Sequence, residues 1–404
     1  MISVEEAQAR ITAAFSPIDT ETMDLGHLAA RVLAEDVRAR YDQPPFAASA
    51  MDGYAVRLSD GDQPRQVIGS VPAGHPFIGY VGPGEAVRIF TGGALPDGAD
   101  AIVIQEDVRR DGDMIRFDPH AIRADYIRPA GLDFEKDAVL LEAGKRISAR
   151  DMALLAAGDV THAKVRRRPR VAIASIGDEL SAPGAPRKPG GIAASTGYGL
   201  TAMITAWGGA PCDFGILPDT VQEIATIADA KAELVVTLGG ASVGDHDLVQ
   251  KALGSTDFAL DFWKVAMRPG KPLLFGRLGN TPILGLPGNP VSALVCAILF
   301  LRPAIDAMLG TQQHTCSLSQ KFKCGCHTSH ARLKGELPAN DSRQSYLRAR
   351  LSHEGGEVWA EPYLAQDSSM LSVLAEADAL LVRHPNAPEA KRGDLAEIIP
   401  LDGF

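Results

Sequence analysis

The spacing of apolar residues along the chain changes period several times, and each change marks a candidate domain. Residues 3–15 (SVEEAQARITAAF) carry apolar positions at helical spacing, with Ser3 as N-cap and Glu6 at the capping-box position. A second helix is expected near Asp24 to Leu33. From about Asp42 to Asp133 the helical period disappears, and Gly, Pro and short β-prone runs (AVRIF, AIVIQEDV, MIRFD) take over, which predicts a small all-β unit. Helical spacing returns in SARDMALLAAG, with Ser148 placed to cap it. The expected organisation is a helical element from residues 1–45 and 134–165, with β unit 46–133 inserted.

The basic run KVRRRPR (164–170) reads as a boundary, either a solvated linker entering a strand or a phosphate clamp. Beyond it, strand RVAIASIG, helix GYGLTAMITAWGG, strand CDFGIL, helix TVQEIATIADAKA, strand ELVVTLGG and helix HDLVQKALG alternate. That alternation predicts a doubly wound α/β domain over 166–313 with a parallel sheet, whose ligands bind at the carboxyl ends of the strands. The apolar run Val291 to Leu301 reads as a buried helix; it stops at Arg302-Pro303, short of a bilayer span. Residues 314–404 revert to β, with a hairpin around Gly355-Gly356.

Length and composition fit this picture. A chain of 404 residues exceeds one ordinary core, and its 46% hydrophobic and 22% charged content is that of a soluble globular protein. The net charge of -10 argues against a nucleic-acid binder. The start does not join a basic stretch to an apolar core, so no signal peptide and a cytoplasmic, membrane-free protein are expected. Five cysteines, an odd number in a long chain, argue against a disulfide framework. Cys316, Cys324 and Cys326 lie beside His314, His327 and His330, either as a metal site or as a Cys/His-rich strand and turn; the C-x-C-H spacing is not the paired C-x-x-C of structural zinc.

The chemistry concentrates at the strand-to-helix turns. No G-x-G-x-x-G follows a strand, and Pro272 after Gly270-Lys271 rules out a P-loop. Residues 240–244 match the G-x-S-x-G nucleophile elbow, which would make Ser242 a hydrolase nucleophile served by His353 or His384. The larger stretch LGGASVGDHD offers bare amides at Gly239, Gly240, Ser242 and Gly244, then two carboxylates, Asp245 and Asp247. Asp245 could serve as a helix cap. With Glu179 and Asp219 on other strand ends, Asp247 would complete an acidic rim that calls for a cation, and Mg²⁺ bridging to a phosphate-bearing substrate suits it. Arg268 and Lys271 would supply positive charge for the phosphate. The turn Gly285 to Pro290, with Pro287 and Asn289, is either a plain helix start or an anion seat at the first helical amides.

The blocks PPFAASAMDGYAV (44–56), RIFTGGALPDGADAIV (88–103), GGASVGDHD (239–247), KVAMRPGKPLLFG (264–276) and GLPGNPVSA (285–293), in this order, resemble the molybdopterin molybdenumtransferases, the MoeA family, similar to the E domain of gephyrin. The resemblance spans essentially the whole chain. It implies a multidomain α/β fold: a helical linker, an inserted β unit, a MoaB/Mog-like molybdopterin-binding domain and a C-terminal β-barrel-like domain. It also implies a homodimer with the site between the α/β domain of one subunit and the β insertion of the other. The implied reaction inserts molybdenum from molybdate into adenylylated molybdopterin, with Mg²⁺, releasing AMP. Other cofactor-biosynthesis proteins and acceptor molybdoenzymes are the implied partners. By motif match the resemblance assigns Asp52, Thr91, Asp133, Glu179, Asp219, Asp247, Lys271 and Pro287 to the site. This chain departs from the family at Ala47, Ala194, Leu238 and Arg268. Those departures keep two other readings open: a paralogue that binds a related pterin without inserting metal, and a binding scaffold.

Overall fold

The computed structural model describes residues 1–72, 74–239, 258–311 and 329–401. The chain divides into two compact units, Met1–Glu21 with Arg166–Phe404, and Thr22–Val165.

Within Thr22–Val165, a sheet runs in the order Ala101–Ile104, Gly53–Val56, Glu85–Ile89, Arg65–Val71, Met114–Arg116, Arg109–Asp111. One face buries Val56, Ala86, Val103 and Ile115, the other Val71, Val87, Ile89 and Ile102. Both sides are covered, so the β-prone runs read as apolar throughout. Register brings the ends of two strands together: Gly53 pairs with Ile89 in an antiparallel ladder, so the residues just outside each, Asp52 and the Phe90-Thr91 turn, are neighbours. Only glycine fits at 53, where a Cβ would lie 2.1 Å from the Val103 carbonyl oxygen. The helix Ala149–Ala157 forms as expected, and its capping box closes in both directions between Ser148 and Asp151. The helix expected over Asp24 to Leu33 is absent. A 3-10 turn spans Leu25–His27, Ala30 sits at φ 61, and Val32 and Leu33 form β-bridges to Arg146 and Val165. Leu28 and Leu33 still reach the core, so burial is achieved by tertiary pairing instead of by a helix.

In the other unit, helix Val4–Ala13 starts at Ser3, whose hydroxyl accepts the Glu6 N–H at 3.1 Å. The α/β sheet is ordered Ala210–Leu217, Arg170–Ile176, Leu234–Leu238, Thr281–Leu286, Leu274–Leu278, Phe258–Trp263. The first four are mutually parallel; Leu274–Leu278 runs antiparallel to them, and Phe258–Trp263, antiparallel to Leu274–Leu278, restores the original direction. The reason is local: Leu278 pairs with Thr281 across a two-residue Gly279-Asn280 turn, and a hairpin is necessarily antiparallel. The apolar run after Asn289 forms a continuous helical rod, Pro290–Leu309, with a π-helical segment at Ala297–Leu301. By length and composition alone this rod could cross a membrane, but 78% of its apolar window is buried inside the protein. The C-terminal strands close into a five-stranded barrel, Gln344–Glu354, Glu357–Pro362, Ser329–Leu333, Leu395–Pro400, Ala379–Arg383, the last pairing back to the first. The expected hairpin is present, with Glu354 opposite Glu357 and both turn glycines at positive φ.

Candidate functional site

The carboxyl ends of the parallel strands converge. Strand Arg170–Ile176 runs into Gly177-Asp178-Glu179, and strand Ala210–Leu217 into Pro218-Asp219. The two tips are stapled: the Asp178 N–H donates to the Asp219 carboxylate and the Asp219 N–H to the Asp178 carboxylate, both at 3.3 Å. A short parallel ladder, Leu180 to Ile192 and Ser181 to Ala193, fixes the backbone on the far side of Glu179. The Glu179 carboxylate folds back over Gly177, where a Cβ would lie 2.6 Å from it. Strand Leu234–Leu238 ends in Gly239 at φ 87, where a Cβ would meet the Ile176 carbonyl oxygen at 2.6 Å. The would-be Cβ of Gly288 lies 3.7 Å from the Gly239 Cα. Glu179, Asp219, Gly239 and the Pro287–Asn289 turn therefore share one edge. Asp178 was not singled out from sequence, although its place between Gly177 and Glu179 was the available signal. Gly240, Ser242, Gly244, Asp245 and Asp247 lie outside the described residues.

The Arg268–Lys271 loop is built from the rear. Gly270, at φ 106, packs so closely on the helix starting at Pro290 that a Cβ would lie 2.4 Å from the Cys296 sulfur. That thiol is buried and donates to the Gly270 carbonyl oxygen at 3.7 Å; burial pushes its pKa up. Lys271 is exposed and has no side-chain partner among the described residues. Arg268 is exposed and bonds Asp341 of the barrel at 2.9 Å. Pro287 is buried. The first helical amides are not all open to an anion: Pro290 has no N–H, and the Val291 N–H donates to the Ser368 carbonyl oxygen at 3.2 Å. Asn289 donates through Nδ2 to the Ser368 hydroxyl at 3.0 Å instead of capping the helix. Leu238 and Ala194, where the resemblance would place polar groups, are 5% and 9% exposed.

In the Thr22–Val165 unit, Asp52 Oδ1 accepts both the Thr91 N–H at 2.7 Å and the Thr91 hydroxyl at 2.8 Å. These two bonds, with the nearby Arg88 charge, hold the Asp52 carboxyl below its ordinary range. Arg88 lies over the Tyr54 and Phe90 rings at 5.1 and 4.6 Å, donating to the Gly53 carbonyl oxygen at 2.7 Å and to the Gln105 side chain. Sequence reading missed Arg88; its position in RIFTGG, two residues before Phe90, was the cue. Segment 43–50 threads between its neighbours, with Gly92 N–H donating to Ser49, Leu95 N–H to Ala47 and Asp133 N–H to Gln43. Asp133 thus joins the same seam, with its side chain exposed.

Among the described residues no three His, Cys, Asp or Glu side chains are grouped to hold a metal ion. Of the cysteines and histidines in the Cys/His-rich segment, His330 alone falls among the described residues. The hydrolase alternative's histidines sit on the barrel, His353 opposite Val358 and His384 bonded to Glu397 at 3.0 Å. The basic linker takes its plain reading, with Arg167 and Arg170 both on Glu233, at 3.0 and 3.1 Å. A cleft of about 530 Å³ lined by Glu35, Arg38, Arg40, His162 and Lys164 contains none of the motif residues.

Three family models match consecutive parts of the chain: the MoeA N-terminal region (domains I and II) over residues 2–158, a probable molybdopterin binding domain over 172–307, and the MoeA C-terminal region (domain IV) over 330–401. The chain is 38% identical to the molybdopterin molybdenumtransferase of Nostoc sp., over 90% of this chain and 85% of that one. It is 37% identical to that of Haemophilus influenzae, over 100% and 99%. The crystal structure of the molybdopterin biosynthesis MoeA protein from Pyrococcus horikosii superposes with a TM-score of 0.83 at 29% identity, covering 100% of both chains.

Proposed function

The chain belongs to the MoeA family, and from that premise we propose how its own residues serve the reaction. It is a molybdenum transferase, inserting molybdenum in molybdenum cofactor biosynthesis. In our reading the pterin arrives adenylylated, molybdate supplies the metal, and AMP leaves, in the cytoplasm where these soluble substrates meet. One observation supports this most: Glu179, Asp219, Gly239 and the Pro287–Asn289 turn meet at the carboxyl edge of the sheet.

The donor set suits Mg²⁺, which needs only one or two carboxylates when substrate phosphates complete its shell. Glu179, Asp219 and Asp247 would hold it, and when bound there it would draw charge from the phosphoanhydride. Lys271 and Arg268 neutralise phosphate charge, and the amides of Gly239, Gly240, Ser242 and Gly244 bind its oxygens. Pro287 and Asn289 wall the pocket. Asp52, Thr91 and Asp133 reach in from the neighbouring subunit of a homodimer. A carboxylate held below its usual pKa stays a hydrogen-bond acceptor there and orients a protonated pterin group. No protein nucleophile is required.

The test is reconstitution with adenylylated molybdopterin, molybdate and Mg²⁺, following AMP release and cofactor formation. Wild type should release AMP, and Lys271→Ala should bind the pterin nucleotide more weakly with the fold intact. Pterin binding without AMP release would instead favour the non-inserting paralogue. The shared site is testable by mixing two dead variants, Asp52→Ala and Lys271→Ala. A random mixture should recover about a quarter of wild-type activity, because half the dimers then carry one intact site. No recovery in proven heterodimers would place all these residues within one subunit.

A further inference from the structure

The Asp341 carboxylate lies between two arginines. Its Oδ2 accepts Arg268 Nη2 at 2.9 Å and Arg343 Nη2 at 2.6 Å. Its hold on the two arginines is unequal. Arg343 gives it three donors, adding the backbone N–H to Oδ1 at 2.8 Å and Nε at 3.3 Å. Arg268 gives one, and its guanidinium makes no other hydrogen bond among the described residues. The backbone under Asp341 is fixed. Asn340 Nδ2 donates to the carbonyls of Arg343, Arg383 and His384 at 2.8 to 2.9 Å, and the Asn386 N–H donates to the Asp341 carbonyl oxygen at 2.8 Å. The root of Arg268 is also fixed, since Met267–Arg268 pairs in parallel with Gln344 and Ser345. What can move is the Arg268 side chain, 57% exposed, three residues before Lys271.

An arginine fork prefers a bidentate carboxylate or phosphate. A single exposed contact is weak enough to exchange. We propose that Asp341 is a built-in counter-anion of the phosphate site, holding Arg268 while no ligand is bound and yielding it to the ligand's phosphate. The inference rests on the reading that Arg268 and Lys271 hold that phosphate. Its consequence is that the carboxylate competes with ligand, keeping the empty loop ordered and easing release of a phosphate-bearing product.

The test is calorimetric titration of the full-length protein with AMP at low salt. Asp341→Asn keeps an acceptor for the Arg343 amide but loses the charge. It should bind AMP about 1.5- to fivefold tighter, the range expected for removing one exposed competing pair. Asp341→Ser, a second neutral acceptor, should behave alike, which guards against a folding artefact in either variant. Adding Arg268→Ala to Asp341→Asn should abolish the gain. Equal or weaker AMP binding by both neutral variants would overturn the proposal and make Asp341 a brace for the loop. If Arg268→Ala alone binds AMP as wild type does, the phosphate reading of Arg268 fails first, and the counter-anion role with it.

Discussion

At the scale of single residues, Asp52 shows how a motif position acquires a chemical state. Two donors from Thr91 converge on one of its carboxylate oxygens, and both stabilise the charged form. Thr91→Val removes the hydroxyl donor while keeping the backbone one and nearly the same volume. The Asp52 pKa should therefore rise, and less carboxylate should be present at any given acidic pH. If deprotonated Asp52 is needed, the acid limb of the activity profile moves to higher pH; an unshifted limb would show that it does not titrate in the rate. Asp151 makes the corresponding case for stability. Burial pushes its pKa up, but hydrogen bonds from Lys145 and Ser148 outweigh it and hold the carboxyl below the usual range. A depressed pKa contributes stability above the unfolded value, about 4, that is lost as pH falls through the folded one. Asp151→Ala should cost about 1–3 kcal/mol near neutral pH in a denaturant titration, with the deficit shrinking on acidification below pH ~4.

Among the elements, the proposed site depends on strand tips held at fixed spacing. The mutual Asp178–Asp219 staple ties two tips through long, 3.3 Å bonds. Asp178→Ala should free Asp219 to drift and lower kcat/KM by about tenfold, with Asp178→Asn much milder because it keeps an acceptor. Steady-state kinetics of the pair would show whether the acceptor or the charge matters. The Arg268–Lys271 loop rests on a glycine that meets a sulfur. Gly270→Ala adds a Cβ 2.4 Å from Cys296 and strains a φ of 106, so it should destabilise by about 2–4 kcal/mol. Adding Cys296→Ala should recover most of the steric part and leave the backbone part, which equilibrium unfolding of Gly270→Ala, Cys296→Ala and the double variant can separate.

For the molecule as a whole, two compact units each carry their own core. The Asp19 carbonyl oxygen accepts the Arg167 N–H at 2.9 Å, so the chain leaves and re-enters the larger unit at one point. A version with Glu21 joined to Arg166 through a short loop should fold cooperatively, since inserted units with adjacent ends are removable. Without Asp52, Thr91 and Asp133 it should not insert molybdenum. Residues 22–165 made alone should also melt cooperatively by circular dichroism; a non-cooperative melt would show that the insertion borrows its stability.

The sequence by itself determined the elements with strong local signals. Ser3 and Ser148 capped their helices, the Gly355-Gly356 turn set a hairpin, and apolar runs alternating with amphipathic helices set the α/β sheet. Its long motifs also placed the chain in its family, because a block such as MDGYAV or RPGKP joins many local requirements at once. Only the tertiary structure decided the rest. It replaced a helix at Asp24 to Leu33 with bridges to Arg146 and Val165, because distant partners buried Leu28 and Leu33 more effectively than helical periodicity could. It took the Val291 amide for Ser368, and set Asp341 between Arg268 and Arg343. These contacts join residues far apart in the chain, and no local spacing encodes which distant group arrives.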